Sequence, residues 1–138
     1  IGFIFQSFNL VPVLSVFENV ELPLLINPNI APAERRRRVS EAITDVGLDK
    51  LANNRPDQLS GGQRQRVAIA RALAGHPLLV LADEPTANLD SETSQKILDL
   101  MLDLNAKRGI TFLFSTHDDR VVSRVSRIVH IKDGVVSA

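Results

Sequence analysis

Apolar residues along this chain fall into short runs that alternate with longer segments of helical periodicity. The runs 1–5, 78–82 and 110–114 are almost wholly apolar, which is typical of strands buried on both faces. Apolar positions spaced three and four residues apart predict helices over 32–46 and 63–74, and a long helix that Asp90 or Ser91 caps and that ends near Gly109. Strands that alternate with helices indicate an α/β fold whose parallel sheet is covered by helices on both faces.

The remaining segments carry weaker signals. Residues 7–28 are apolar, but Pro12, Pro23 and Pro28 interrupt them, so we expect helical turns and loops there. A short helix is predicted to end near Val125. Two apolar runs, 127–131 and 135 onward, flank Asp133 and Gly134 and predict a hairpin.

Composition narrows the class of protein without fixing its function. The 138 residues are enough for one ordinary domain, and no apolar run reaches the roughly 18 residues of a membrane span. The chain has no cysteine, so disulfides and thiolate-bound metals are excluded. Sixteen basic residues balance sixteen acidic ones and there is no Trp or Tyr, so the sequence predicts no nucleic-acid partner.

Polar residues stand at the carboxyl ends of the three predicted parallel strands. Gln6 follows the first strand, Asp83 and Glu84 follow the second, and His117 follows the third. Ligands bind at this edge of open α/β sheets, so we expect these side chains to share a site. An isolated Asp-Glu pair would be only a polar strand end. The apolar run before this pair and the P-T-A-N-L-D stretch after it favour chemistry, in which one carboxylate binds a divalent cation and its neighbour acts as a base.

The pentapeptide Leu-Ser-Gly-Gly-Gln at 59–63 opens the second long helix. Gly61 and Gly62 leave the first backbone N–H groups uncovered beside the positive end of the helix dipole, and Ser60 and Gln63 add a hydroxyl and an amide. Such an arrangement binds phosphate. A flexible helix start would explain two glycines alone, but not all five residues together.

Five stretches in this order resemble the motifs of the ATP-binding-cassette (ABC) ATPases. L-S-G-G-Q at 59–63 is similar to their signature, L-V-L-A-D-E-P at 79–85 to Walker B, and A-N-L-D at 87–90 to the D-loop. S-T-H at 115–117 resembles the segment that carries the switch histidine, and Gln6 resembles the glutamine of the Q-loop. The resemblance implies a P-loop NTPase-like parallel sheet flanked by helices, with a helical signature subdomain.

The resemblance also implies a role for each matching residue, with ATP and Mg²⁺ as cofactors. Asp83 would bind Mg²⁺ and Glu84 would be the general base that activates water. His117 would contact the γ-phosphate, and Gln6 would sense Mg²⁺ and the attacking water.

Other matching residues would act on a second ATPase subunit. Ser60, Gly61, Gly62 and Gln63 would engage ATP held by that subunit in a head-to-tail homodimer. Asp90 would meet the subunit across the interface, and a transmembrane permease subunit would be the third component. His76 and His130 match no motif, and we expect structural roles for both.

The family's phosphate loop, G-x-x-x-x-G-K-[ST], is absent from these 138 residues, as is the aromatic residue that stacks on adenine. The sequence therefore predicts a cassette truncated at its N-terminus that is inactive by itself and prone to oligomerise or exchange strands through exposed sheet surface. Within residues 1–138 we expect a catalytic core formed by 1–6 and 76–138. Residues 7–75 would form the Q-loop segment and the helical subdomain.

Residues 3–24 and 81–90 resemble the lipoprotein-release and macrolide-efflux branch of bacterial exporters and a related cell-division ATPase. The resemblance implies a place on the cytoplasmic face of the bacterial inner membrane. ATPases of amino-acid importers share several of these residues and stay open as an alternative. A non-transport ABC ATPase associated with DNA or ribosomes is a further alternative. DNA-associated members carry long coiled-coil arms between the Q-loop and the signature, and ribosome-associated members carry two cassettes. Residues 1–138 show neither feature, which favours a transporter. Intact Glu84 and His117 disfavour an inert binding module.

Overall fold

The computed structural model describes residues 1–137, in which three strands that alternate with helices form a parallel sheet and a two-stranded hairpin follows. The elements are β1 (Gly2–Ile4), α1 (Val16–Leu25), α2 (Pro32–Asp45), α3 (Gly61–Leu73), β2 (Leu79–Asp83), α4 (Ser91–Arg108), β3 (Thr111–Ser115), α5 (Asp119–Val122), β4 (His130–Lys132) and β5 (Val135–Ser137). The predicted α/β class with a parallel sheet flanked by helices is confirmed.

The three strands of the sheet lie in the order β1-β2-β3, and both pairs are parallel. Ile4 is level with Ala82, and Ala82 is level with Phe114. All three strands therefore end at the same edge, with Gln6, Glu84 and Thr116 two residues beyond these partners. Helices α1, α2 and α3 connect β1 to β2, and α4 connects β2 to β3.

Helices cover only one face of this sheet within residues 1–137, so the prediction of cover on both faces is wrong for this part of the chain. Ile4, Val80 and Ala82 are buried on the covered face, whereas Phe3 and Leu113 on the other face are 50% and 57% exposed. The apolar strand pattern indicates that both faces need cover, but it does not say which elements provide it. On the covered face α3 packs close to β1. A Cβ added to Gly2 would be only 2.6 Å from the carbonyl oxygen of Ala72, so the close approach requires glycine at this position.

Helix α1 corrects the prediction of turns and loops over 7–28. Ser15 and Glu18 form a capping box, in which Ser15 Oγ accepts from the Glu18 N–H and Glu18 Oε2 accepts from the Ser15 N–H. This start signal lies after Pro12, while Pro28 follows the helix end and Pro23 is tolerated near the last turn. The apolar residues of the segment therefore join the core as a helix, with Val16, Val20 and Leu24 buried.

Smaller differences concern element ends. Helix α3 starts at Gly61 with Ser60 as its N-cap, two residues before the predicted start, and α5 ends at Val122 rather than near Val125. The hairpin of β4 and β5 forms as predicted as far as Ser137, and its last predicted residue, 138, lies outside the described residues. Among residues 1–137 no helix combines the length and the apolarity that crossing a membrane requires.

Candidate active site

Glu84 lies directly after β2, where the chain leaves the sheet in an unusual backbone conformation. Its φ of +43° is in the left-handed region, which non-glycine residues rarely adopt. The turn is held by a hydrogen bond from the Glu84 N–H to the carbonyl oxygen of Ser115, at 2.9 Å. This conformation directs the carboxylate toward the segment that follows β3.

Both oxygens of the Glu84 carboxylate contact the segment 116–117. Oε2 accepts a hydrogen bond from Thr116 Oγ1 at 2.9 Å, and Oε1 accepts one from the His117 N–H at 3.1 Å. His117 Nδ1 lies 2.5 Å from the same Oε1. The Glu84 side chain is only 16% exposed, whereas His117 is 90% exposed. The structure therefore brings the predicted base and the predicted switch histidine into direct contact.

An open cavity of about 490 Å³ lies over this pair and is lined by Glu84, Ala87, His117, Asp118, Asp119 and Arg120. The Asp118 carboxylate accepts hydrogen bonds from Arg120 Nη2 at 2.7 Å and from Thr86 Oγ1 at 3.1 Å. The Arg120 guanidinium, together with the Arg120 N–H and the Thr86 hydroxyl, lowers the pKa of Asp118 to about 2. Asp118 is thus a fixed negative charge at the cavity wall.

Asp83, the last residue of β2, differs from Glu84 because its side chain is exposed. It is level with Ser115 of β3, and both residues lie on the uncovered face of the sheet. An exposed, hard carboxylate of this kind fits Mg²⁺, which keeps several water ligands and takes one or two carboxylates together with phosphate oxygens. Gln6 is also exposed at this edge, one strand away. The donor set therefore fits the cation that the sequence predicts.

The signature residues form the first turn of α3. Ser60 Oγ accepts from the Gln63 N–H at 3.3 Å, and Gln63 Oε1 accepts from the Ser60 N–H at 2.9 Å, so the two side chains cap the helix reciprocally. The glycines have a steric role as well. A Cβ at Gly62 would lie 2.5 Å from Thr93 Cγ2, and one at Gly61 would lie 3.3 Å from Leu89 Cδ2.

Asp90 begins α4 next to the signature. Its Oδ1 accepts from the Thr93 N–H at 2.9 Å, which makes it the N-cap of α4. Hydrogen bonds from the Thr93 side chain and backbone lower the pKa of Asp90. Because Thr93 also faces Gly62, the starts of α3 and α4 form one surface, which we call the helix-start surface (Ser60–Gln63 and Leu89–Thr93).

The predicted site residues thus form two groups, the strand-end residues Gln6, Asp83, Glu84 and His117, and the helix-start surface. Within residues 1–137 no hydrogen bond joins Ser60 or Gln63 to Glu84 or His117. Three contacts of the segment 85–89 connect the groups. Gln65 Nε2 donates to the carbonyl oxygen of Pro85 at 2.8 Å, Asn88 Nδ2 donates to the carbonyl oxygen of Gln6 at 2.7 Å, and Leu89 contacts Gly61.

Two arginines of α3 contact the segment that follows Gln6, and the sequence did not predict them as site residues. Arg71 on α3 donates to the carbonyl oxygens of Phe8 and Asn9, whose φ values of +62° and +49° mark a strained turn just after Gln6. The Arg64 guanidinium lies 5.6 Å from the Phe8 ring centroid. In the sequence, Arg64 and Arg71 are noticeable because they interrupt a largely apolar helix, Thr116 is marked only as part of the S-T-H stretch, and Asp118 carries no signal.

Comparisons with known proteins identify the family of the chain. A family model described as ABC transporter matches residues 1–87, more than half of the chain. The chain belongs to the ABC transporter family. This ABC chain is 51% identical, over 98% of its length, to the ABC transporter ATP-binding protein YtrE of Bacillus subtilis. It is 48% identical, over 99% of its length, to the macrolide export ATP-binding/permease protein MacB of Syntrophobacter fumaroxidans.

Solved structures agree with the fold. This ABC chain superposes with a TM-score of 0.79 and 49% identity on a dimeric post-hydrolysis state of the ATP-binding cassette MJ0796 bound to ADP and Pi, over 96% of this chain and 59% of that one. The MJ0796 protein of Methanocaldococcus jannaschii is 51% identical over 99% of this chain. The chain spans 58% of YtrE, 59% of MJ0796 and 19% of MacB.

Proposed function

We propose that this chain belongs to the ATPase subunit of a transporter, which hydrolyses ATP to drive movement across a bacterial inner membrane. The observation that carries the proposal is the Glu84 carboxylate held at a strand end in contact with His117, at the floor of an open cavity. A carboxylate next to an imidazole can accept a proton from water and stabilise the charge that develops on phosphate.

In the proposed mechanism Glu84 accepts the proton of the attacking water, and His117 binds the γ-phosphate through its exposed ring. Asp83, together with Gln6 at the end of the neighbouring strand, would hold Mg²⁺, which neutralises phosphate charge when it is bound. Gln6 is connected to the rest of the site through its carbonyl oxygen, which accepts from Asn88. A change at Gln6 would therefore reach the segment between Glu84 and α4.

We also propose that the helix-start surface completes the site of a second copy. Ser60, Gly61, Gly62 and Gln63 would contact the γ-phosphate of the partner's ATP, with Asp90 at the interface. In support, the N–H groups of Gly61 and Gly62 have no hydrogen-bond acceptor within residues 1–137, and the related MJ0796 cassette is dimeric in two solved structures. In this proposal residues 7–75 form the Q-loop segment and the helical subdomain, and 1–6 and 76–138 form the catalytic core.

The finer assignment within transporters is the lipoprotein-release or macrolide-export type. The 48% identity to MacB, a macrolide export protein that joins an ATP-binding part to a permease, supports this branch and a permease partner. Such a partner would place the subunit on the cytoplasmic face of the membrane. An amino-acid importer ATPase and a cell-division ATPase are the alternatives, and the cargo would be set by the permease.

The test is Glu84→Gln in the full-length protein that contains these 138 residues. We expect ATP turnover to fall below roughly a hundredth of wild type while ATP affinity is kept, since the amide cannot accept the proton of the attacking water. Steady-state phosphate release and ATP binding by calorimetry measure the two effects, and chelation of Mg²⁺ should abolish turnover in the wild type.

Glu41→Gln is the matched control, because Glu41 lies on α2 away from the cavity and pairs with Arg37. It should turn over ATP at the wild-type rate. Turnover of Glu84→Gln above roughly a tenth of wild type would remove Glu84 as the base, since a positioned base contributes about 10²-fold or more.

A further inference from the structure

Thr116 lies between the proposed base and the turn at Asp118, and the S-T-H stretch that contains it assigns a role only to His117. Its Oγ1 is 2.9 Å from Glu84 Oε2 and 3.0 Å from the N–H of Asp118. Thr116 is half-buried, one residue before the exposed His117.

The roles of donor and acceptor in this pair of contacts follow from the chemistry. The Asp118 N–H can only donate, so Thr116 Oγ1 accepts from it. The single hydroxyl hydrogen of Thr116 is then free to point at the Glu84 carboxylate, which accepts. The Asp118 N–H therefore fixes the hydroxyl rotor in the orientation that bonds the carboxylate.

The turn that supplies this N–H is itself held from two sides. The Asp118 carboxylate accepts from Arg120 Nε at 2.8 Å and from the Arg120 N–H at 2.9 Å, which caps α5. Thr86, which is buried and lies two residues after Glu84, donates to the same carboxylate at 3.1 Å. The contacts close a ring from Glu84 through Thr116 and Asp118 to Thr86 and back along the chain.

We propose that Thr116 is a positioning residue for Glu84, and that Asp118 holds Thr116 in place. This inference rests on the proposed function, in which Glu84 is the base. With Oε2 bound to the Thr116 hydroxyl, the plane of the carboxylate is fixed and Oε1 stays on the side of His117 and the cavity. Without the hydroxyl, only the contacts of Oε1 with His117 restrain the carboxylate, so its plane is less firmly held and the base loses alignment with the attacking water.

The test compares Thr116→Val with Thr116→Ser in the full-length protein. Valine keeps the shape and removes the hydroxyl, so we expect kcat for ATP hydrolysis to fall roughly tenfold or more, the factor expected for a hydrogen bond to a charged group. The KM for ATP should change less than about twofold, because Thr116 Oγ1 bonds to Glu84 and Asp118, and the proposed mechanism uses neither of them to bind the nucleotide. Serine keeps the hydroxyl, and kcat should stay within about threefold of wild type.

Thr111→Val is the matched control, because Thr111 is an exposed residue at the opposite end of β3. It should leave kcat unchanged and shows what loss of a threonine hydroxyl from this strand does by itself. If Thr116→Val keeps the wild-type kcat while Glu84→Gln is inactive, the role of Thr116 is wrong and the proposed function stands. If Thr116→Ser loses as much activity as Thr116→Val, the methyl group matters rather than the hydroxyl, and the inference fails. An active Glu84→Gln variant overturns both.

Discussion

Gly62 illustrates how one residue can satisfy two demands. The sequence predicts that Gly62, which has no side chain, leaves the N–H groups at the start of α3 free to bind phosphate. In the structure its missing Cβ also lets α3 approach α4, since Thr93 Cγ2 occupies the space that a side chain would need. The steric demand is present in a single copy of the chain, whereas the phosphate role requires a second copy.

The steric demand predicts that Gly62→Ala destabilises the full-length protein. We expect a loss of about 1–3 kcal/mol in the free energy of unfolding, typical of an overpacked contact. Adding Thr93→Ser, which removes Cγ2 and keeps the hydroxyl, should restore most of the loss. Chemical denaturation of the two variants measures both effects.

Gly75→Ala is the control for this prediction, because a Cβ at Gly75 would meet nothing within 4 Å. It should be as stable as wild type. A Gly62→Ala variant that is fully stable, or one that Thr93→Ser does not rescue, would show that the contact between α3 and α4 does not require this glycine.

Individual site residues were predictable where they belong to a contiguous motif. Glu84, His117, Ser60 and Asp90 stand next to strand and helix ends that the apolar pattern locates. Thr116 belongs to the S-T-H stretch, but its contact with Glu84 was not predictable, and neither was that of Asp118 with Thr86, because each joins residues 32 positions apart. A single sequence contains no information on such pairs until the strand register is known.

At the scale of elements, α2 shows what a run of like charges does. Arg35, Arg36, Arg37 and Arg38 are consecutive near the start of α2 and therefore point in different directions. Three of them find acidic partners. Arg35 pairs with Glu21 of α1, Arg37 pairs with Glu34 and Glu41, and Arg38 pairs with Glu34. The run therefore stabilises the helix and its contact with α1.

The ion pairs of Glu34 with Arg37 and Arg38 predict a pKa of the Glu34 carboxyl group well below its usual value. Hydrogen bonds from Arg37 and Arg38 lower its pKa from 4.5 to about 2. Because the folded-state pKa is depressed, the stabilisation is fully present above pH 4.5 and is lost as the pH falls through about 2. An NMR titration of the Glu34 carboxyl carbon in the full-length protein should give a midpoint near 2.

Two arginine variants make the titration specific. Arg37→Gln should move the midpoint of Glu34 upward, because it removes the largest cause of the shift. Arg36→Gln should leave it unchanged, since Arg36 is exposed and has no ion pair within residues 1–137. A titration midpoint near 4.5 in the wild type would contradict the ion pairs of Glu34 with Arg37 and Arg38.

Most elements were predictable from periodicity, and the exception has a physical cause. Helix α4 is bounded by the Asp90 cap and by Gly109, whose φ of +67° is suited to glycine, so both ends are visible in the sequence. Helix α1 was missed because three prolines suggested breaks, whereas the capping box of Ser15 and Glu18 decides where the helix begins. A local start signal outweighs prolines that lie before the helix, near its last turn or after it.

At the scale of the whole molecule, the segment 85–90 joins the two parts of the site. It begins beside Glu84, accepts from Gln65 of α3 at Pro85, donates to Gln6 through Asn88, and ends at the cap of α4. The helix-start surface includes Leu89 and Asp90, so a second copy that contacts it would also contact the end of the segment that leads to Glu84. The sequence predicts the two groups of residues but not these connections, which arise only when α3 lies against the sheet.

The central claim is that the strand-end residues of one copy and the helix-start surface of another form one hydrolytic site. The most direct measurement is sedimentation velocity of the full-length protein with ATP and Mg²⁺, comparing Glu84→Gln with Glu84→Gln combined with Ser60→Arg. We expect a stable ATP-dependent dimer for the first variant and a monomer that still binds ATP for the second. A dimer that persists with Arg at position 60, or no dimer in either variant, would contradict the claim.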